Sequence, residues 1–394
     1  MSLYRKNQIM VKGNKKTSWQ TKKLVEVCDI GAGNSAPQKK EFFVDGVYPF
    51  FRTSDIGKIH IGTISESSDY LNEKGAKVLK LFNKGTILLP KSGASTFLNH
   101  RVILGTDGYV SSHLATIKTN EEVLNNSYLF YFLHEIKAQD LIQDHKYPSL
   151  NLPVIGNILI PLPPLPEQHR LVKILDEVFE KTAKAKENAE KNLQNAKELF
   201  ESYLQSVFAN PGKDWEDTTI NKVCEKLFAG GDVPKNNLSK IKTEKYNVPI
   251  FANGIKKKGL YGYTDIKKVI EPSITISARG TIGYAEIRRE IFYPVVRLIV
   301  LIPNTKIIEL SFLYYITRNF KFSNTGTSIP QLTVPMIKDI KISIPSIRKQ
   351  KNIVKNIDAL SAETKKLESI YKQKLADLEE LRKSVLRKAF AGEL

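Results

Sequence analysis

Two stretches broken by glycine hold the residues best suited to chemistry. They are KSGASTFLNHR, Lys91 to Arg101, and ARGTIGYAEIRR, Ala278 to Arg289. Each follows a short aliphatic or β-branched run, as a buried strand entering a tight turn would. The first carries Lys91, Ser92, Ser95 and Arg101; the second carries Arg279, Thr281, Arg288 and Arg289. Further along come Lys146, Tyr147 and Ser149, matched later by Ser328 and Gln331. Arg and Lys fork onto guanine, Gln onto adenine, and Ser or Thr onto either, so this is a set of groups for reading base edges. The run Lys256, Lys257 and Lys258 suits phosphate instead, because bare charge carries no base code. The competing reading of every one of these residues is a solvated surface side chain, the common state of charged groups.

No nucleophile, metal or cofactor motif accompanies them. The sequence has no GxxxxGK[ST] loop, no HExxH pair, no CxxC, no GxSxG elbow and no Asn-Pro-Pro-aromatic tetrapeptide. A dispersed nuclease set of carboxylates and lysine leaves no such signature and is not excluded by pattern. No catalytic or metal-ligating residue is therefore assigned, and the chain reads as a binder and organiser. Its 394 residues allow two or three domains. Lys and Arg outnumber Asp and Glu by 60 to 41, a net charge of +19. That excess favours a polyanionic partner, nucleic acid ahead of an anionic membrane surface. Two cysteines, Cys28 and Cys224, imply no disulfide framework and fit a reducing compartment. The basic N-terminus lacks the apolar segment of a secretory signal, and the longest apolar run, RLIVLIP, is far short of a bilayer span. A cytoplasmic chain with no membrane partner is expected.

The elements that must position these loops repeat. LPEQHRLVKILDEV (165–178) aligns without gaps on IRKQKNIVKNIDAL (347–360), so that Gln168 matches Gln350 and Asp176 matches Asp358. At the same offset Leu150 matches Leu332, Thr182 matches Thr364, and SYLQSVFA answers SVLRKAFA. An ungapped block of about sixty residues is a true internal repeat. Upstream, Trp19 and Trp215 each open a segment, and Cys28 and Cys224 are equivalent small core positions. The order is a domain at 1–163, a long helix at 164–210, a domain at 211–345 and a long helix at 346–394. NSYLFYFLHEI and LSFLYYITRNF read as short aromatic helices of the core rather than base-stacking platforms. In PLPPLPEQ the prolines end a strand and fix the helix entry, with Glu167 in the first turn; an SH3-type ligand is the weaker reading.

Along the first long helix Leu171, Leu175, Val178, Thr182, Ala185 and Ala189 form a seam, and both helices share a four-residue stutter at the same place. Each is about 60 Å long at 1.5 Å per residue. Antiparallel pairing, with Leu171 beside Ala389, sets small Ala185 against Leu375 and small Ala189 against Tyr371. Arg382 interrupts the apolar seam where its repeat partner is Phe200, and snorkelling or a docked helix would accommodate it.

IPLPPLPEQHRLVKILDEVFEK resembles the start of the central helix in specificity subunits of type I restriction–modification systems, and LEELRKSVLRKAFAGEL resembles their C-terminal end. The resemblance spans the chain, specific in the helices and loose in the domains. It implies an α+β fold: two tandem mixed α/β target-recognition domains separated by two long helices in an antiparallel coiled coil, with pseudo-two-fold symmetry. It also implies that each domain reads one half of a split double-stranded DNA target, and that the helices set the gap. Two adenine-N6 methyltransferase subunits and two motor–nuclease subunits would dock, and S-adenosylmethionine, ATP and Mg²⁺ would belong to them. Because KSGASTFLNH is unlike ARGTIGYAEI, the half-sites should differ. The rival readings are a single-chain methyltransferase or nuclease with its own recognition domain, and a structural coiled-coil protein on anionic surfaces.

Overall fold

The computed structural model of the chain describes residues 19–142, 146, 148–320 and 331–394. Tyr147, Ser328 and the basic segment before Trp19 lie outside the described residues. The chain divides into two compact units, Met1–Ala189 with Lys374–Leu394, and Glu190–Gln373. Both long helices contribute to both units.

Unit 1 is built on a five-stranded sheet in the order Cys28–Ala32, Leu114–Thr119, Ile87–Pro90, Arg101–Leu104, Ile61–Ile64. The first four strands pair antiparallel, and the last runs parallel to Arg101–Leu104. Ile87–Pro90 is buried along its whole length, which explains its unbroken apolar run. A three-stranded sheet places Tyr48–Phe51 between Asp69–Leu71 and Tyr109–Val110, and a two-stranded ribbon joins Gln20–Lys23 to Leu159–Leu162. The helix Asn126–Glu135 packs its aromatics inward, with Tyr128 and Phe132 fully buried. These side chains belong to the core, as their spacing predicts.

Unit 2 repeats the plan. Its main sheet runs Cys224–Ala229, Ile299–Pro303, Ser273–Ile276, Ala285–Arg288, with no equivalent of Ile61–Ile64 among the described residues. Val248–Phe251 lies between Leu260–Thr264 and Tyr293–Pro294, and Glu216–Thr219 pairs with Lys341–Ile344. The helix Leu310–Arg318 buries Phe312 completely. Cys28 and Cys224 begin equivalent strands, and burial pushes both thiols up to about 12. Gly33 and Gly230 follow those strands. A Cβ at Gly33 would sit 2.3 Å from the Val110 carbonyl oxygen, and one at Gly230 would sit 2.6 Å from the Pro294 carbonyl carbon, so only glycine fits either crossing.

The long helices span Leu165–Ala209 and Ile347–Ala391, 45 residues each. In unit 1 Leu171 and Leu175 share a core with Leu386, Ala389 and Phe390. Further along, the Arg382 guanidinium lies 4.3 Å from the Phe179 ring centroid, and Lys186 Nζ lies 3.1 Å from Glu379. One numbering rises as the other falls, so the two segments run antiparallel. The seam arginine is accommodated as a cation over an aromatic face. In unit 2 Phe200 and Leu204 share a core with Val354 and Ile357.

One side chain fastens each helix to its domain. Gln168 is fully buried: the Asn125 N–H donates to its Oε1 (2.8 Å), and its Nε2 donates to the carbonyls of Val123 (3.0 Å) and Pro163 (2.8 Å). Gln350, also fully buried, accepts from the Glu309 N–H (2.8 Å) and donates to the carbonyls of Ile307 (3.0 Å) and Pro345 (2.8 Å). Two turns on, Tyr131 donates to Asp176 and Tyr315 to Asp358. The duplicated PEQ and RKQ segments thus do the same mechanical task twice. Truncating either glutamine leaves three backbone groups unpaired, one buried and two half-buried, at roughly 1–3 kcal/mol for each group that water cannot reach. Gln168→Ala and Gln350→Ala should each cost about 3 kcal/mol. Hydrogen exchange should report the loss in the unit that carries the change and leave the other protected.

Candidate nucleic-acid interface

In unit 1 the turn after Ile87–Pro90 is held by main-chain bonds. The Leu150 N–H donates to the Lys91 carbonyl (2.7 Å), and the Gly93 N–H to the Pro148 carbonyl (3.0 Å). Ser92 and Ser149 form an isolated antiparallel bridge, Ser92 Oγ lies 2.8 Å from His113 Nδ1, and Ser95 Oγ donates to the Ser92 carbonyl (3.3 Å). Gly93, at φ +78, supplies the left-handed turn. Lys91, Ser92, Ser95 and Ser149 therefore share one surface, with exposed Lys146 close to Ser149 in the chain.

Unit 2 builds the counterpart from different side chains. The Leu332 N–H donates to the Ala278 carbonyl (2.9 Å), the equivalent of the Leu150 bond. Gly280, at φ +69, takes the place of Gly93. Where unit 1 sets Ser92 against Ser149, unit 2 sets Arg279 against Gln331, with Nη2 donating to Oε1 (2.7 Å). Thr281 lies in the same turn, and its Oγ1 is buried with no partner among the described residues. The Lys256–Gly259 turn joins this surface through its neighbours: the Ala278 N–H donates to Asn253 Oδ1 (2.7 Å), and the Gly254 N–H to Ser277 Oγ (3.2 Å). Lys256 and Lys257 are exposed beside the Arg279 turn.

Two expected contacts are corrected. Arg101 and Arg288 are only 2% and 3% exposed, so neither guanidinium faces a partner. Arg101 donates to the carbonyls of His100 (2.8 Å) and Ile136 (3.2 Å). Arg288 donates to Thr275 Oγ1 (3.1 Å) and the Lys258 carbonyl (2.6 Å), its guanidinium 3.6 Å from the Phe251 ring centroid. Both sit at strand ends covered by tertiary packing, which local charge does not reveal.

Sequence reasoning missed His113, Asn253, Tyr284 and Glu286. Glu286 accepts from Lys258 Nζ (2.7 Å) and Tyr284 Oη (2.7 Å). Burial alone would raise its carboxyl, but these two donors outweigh burial and hold it below the ordinary range. The signal was the alternation Tyr284, Glu286, Arg288 on one face of a strand. As a set, these surfaces present singly bonded polar pairs, Ser92 with His113 and Arg279 with Gln331. Ser92 and His113 touch, but no carboxylate is bonded to His113 among the described residues, so the pair lacks the orienting group of a hydrolytic triad.

The two units therefore define a duplicated recognition module with unlike surfaces. The family model described as the type I restriction modification DNA specificity domain matches residues 16–194 and 212–378. The chain belongs to that family and is a type I specificity subunit with two target-recognition domains. It is 25% identical over 341 residues to a Mycoplasma pneumoniae protein named as a type I specificity subunit, covering 86% of this chain and 89% of that one. A solved chain from work on assembly and conformational transition of the type I R-M system superposes with a TM-score of 0.80 at 20% identity, covering 97% of this chain and 100% of that chain. The HsdS subunit of Thermoanaerobacter tengcongensis gives 0.62 at 18% identity, covering 95% and 97%. Both show the same fold. Among the described residues no helix is long and apolar enough to cross a membrane.

Behind the unit 1 surface, burial pushes the His134 imidazole down to about 3, and the Arg101 charge adds to the effect. The folded state keeps this ring neutral while the unfolded chain protonates near 6.5. Unfolding then takes up a proton below that pH, so stability is lost as pH falls from about 6.5. From pH 7.5 to 5 the loss due to His134 should be about 2 kcal/mol. In His134→Leu that portion of the acid sensitivity should vanish, as followed by denaturant unfolding at the two pH values.

Proposed function

We propose that this chain is the non-catalytic reader of an asymmetric, bipartite double-stranded DNA target, one half per domain. The observation that carries this reading is the equivalent turn surface furnished with Ser92 and Ser149 in one unit and with Arg279 and Gln331 in the other. Equivalent frames with unlike hydrogen-bonding groups suit two different half-sites. Lys91, Ser95 and Lys146 extend the unit 1 surface, Lys256 and Lys257 serve phosphate, and the long helices fix the gap between the halves. Two adenine-N6 methyltransferase subunits and two motor–nuclease subunits assemble on this scaffold in the cytoplasm. S-adenosylmethionine, ATP and Mg²⁺ bind to those partners, which carry the methylation and cleavage chemistry.

The test is a methylome of a methylation-free host expressing the chain with its methyltransferase partner. A split motif around a fixed gap supports the reading; motifs without a gap, or none while the subunits still co-purify, count against it. Arg279→Ala with Gln331→Ala should relax one half only, at about 1–3 kcal/mol per lost forked contact. Inserting one heptad into both long helices should lengthen the gap and leave both halves unchanged, read from the same methylation maps.

A further inference from the structure

Unit 2 carries a basic cleft of about 600 Å³ against the Lys256–Gly259 turn, lined by Lys242, Lys257, Lys258, Lys267, Arg288 and Phe251. Glu290 is the one carboxylate among its lining residues. Lys258 is occupied by Glu286, whereas Lys242, Lys257 and Lys267 are exposed and have no ion pair or hydrogen bond to their ammonium groups among the described residues. The rim is not a loose loop. Lys257 and Lys258 stand at φ +48 and +55, a conformation that side-chain-bearing residues adopt at a cost. Arg288 holds them there: one end of its fork takes the Lys258 carbonyl, the other takes Thr275, and the plane rests on Phe251. Strained backbone persists where its surroundings over-determine it, and such sites are commonly functional.

We infer that this cleft grips the phosphodiester backbone of DNA beside the bases that unit 2 reads, and that Arg288 is the positioning residue that shapes it. The inference rests on the recognition reading above and extends the phosphate role given to Lys257 to the cleft around it and to the residue that shapes it. Mobile ammonium groups are point charges suited to phosphate, and they carry no sequence information. Among the described residues, unit 1 does not repeat the lysine turn at the equivalent place. In unit 1 the segment after the equivalent strand Tyr48–Phe51 forms the helix Thr53–Ile59, and Arg52 there is neutralised by Asp69. In unit 1 the strand Ile61–Ile64 also pairs with Arg101–Leu104, a pairing that Ala285–Arg288 does not make among the described residues. Of the two half-sites, the one read by unit 2 is thus held more by charge.

The test uses the full chain and a fluorescent duplex of random sequence, with affinity followed between about 50 and 200 mM salt. Replacing Lys242, Lys257 and Lys267 by Ala should lower the slope of log affinity against log salt by roughly two to three, at about 0.9 per phosphate contact. The methylated motif should keep the same bases in both halves. A control removes equal charge from the same unit at the exposed residues Lys222, Lys306 and Lys338. An equal fall in the control overturns the local anchor in favour of a general field, and so does an unchanged slope in the cleft variant. Arg288→Lys keeps the charge but cannot serve Thr275 and the Lys258 carbonyl together. Its slope should fall as well, and a slope equal to that of the unaltered chain would overturn the positioning role. If the unaltered chain binds duplex with no salt dependence, the recognition reading fails and the anchor falls with it.

Discussion

The architecture depends on a buried amide. A glutamine amide both accepts and donates, and Gln168 and Gln350 commit their oxygen and both N–H protons to three main-chain groups of the adjoining domain. Unpaired, those groups would be a serious cost in a dry interior. Paired, they fix where the helix starts and how the domain is hung on it. The tyrosine–aspartate bonds one level further along make the attachment a two-point one. Every surface proposed to meet DNA takes its orientation from that joint, since the turns after Ile87–Pro90 and Ser273–Ile276 bond to Leu150 and Leu332, a short way upstream in the chain.

Much of this was legible in the sequence. The repeat showed that Gln168 and Gln350, and Asp176 and Asp358, occupy matching positions; that they fasten helix to domain came from the structure. The strands before the two turns were readable from aliphatic runs stopped by glycine, and the aromatic helices from their spacing. What was not legible is tertiary. Arg101 and Arg288 look like surface cations in one dimension; the structure buries both, one against main-chain carbonyls and one on Phe251. The union of the Lys256–Gly259 turn with the Arg279 turn rests on Asn253, a residue with no distinctive pattern around it. The added strand Ile61–Ile64 in unit 1 was hidden because its register depends on a parallel partner some forty residues away.

The same contrast separates frame from reading surface. The frame is made of main-chain bonds and core packing that recur in both units. The surface proposed to read DNA is made of side chains at equivalent places that differ: Ser for Arg, Ser for Gln, a helix for a strained lysine turn. Side-chain divergence falls on the turns proposed to meet DNA, while the main-chain bonds that hold those turns recur in both units.

The glutamine joint also bears on how such a chain can change over generations. Its partners are main-chain atoms of Val123, Asn125 and Pro163 in one unit and of Ile307, Glu309 and Pro345 in the other. Four of those six residues have already become something different across the repeat, and the bonds are the same. A fastening that is blind to the identity of the parts it joins places no brake on drift in those parts. After an ancestral duplication the two halves were therefore free to acquire separate vocabularies while sharing one grammar of attachment.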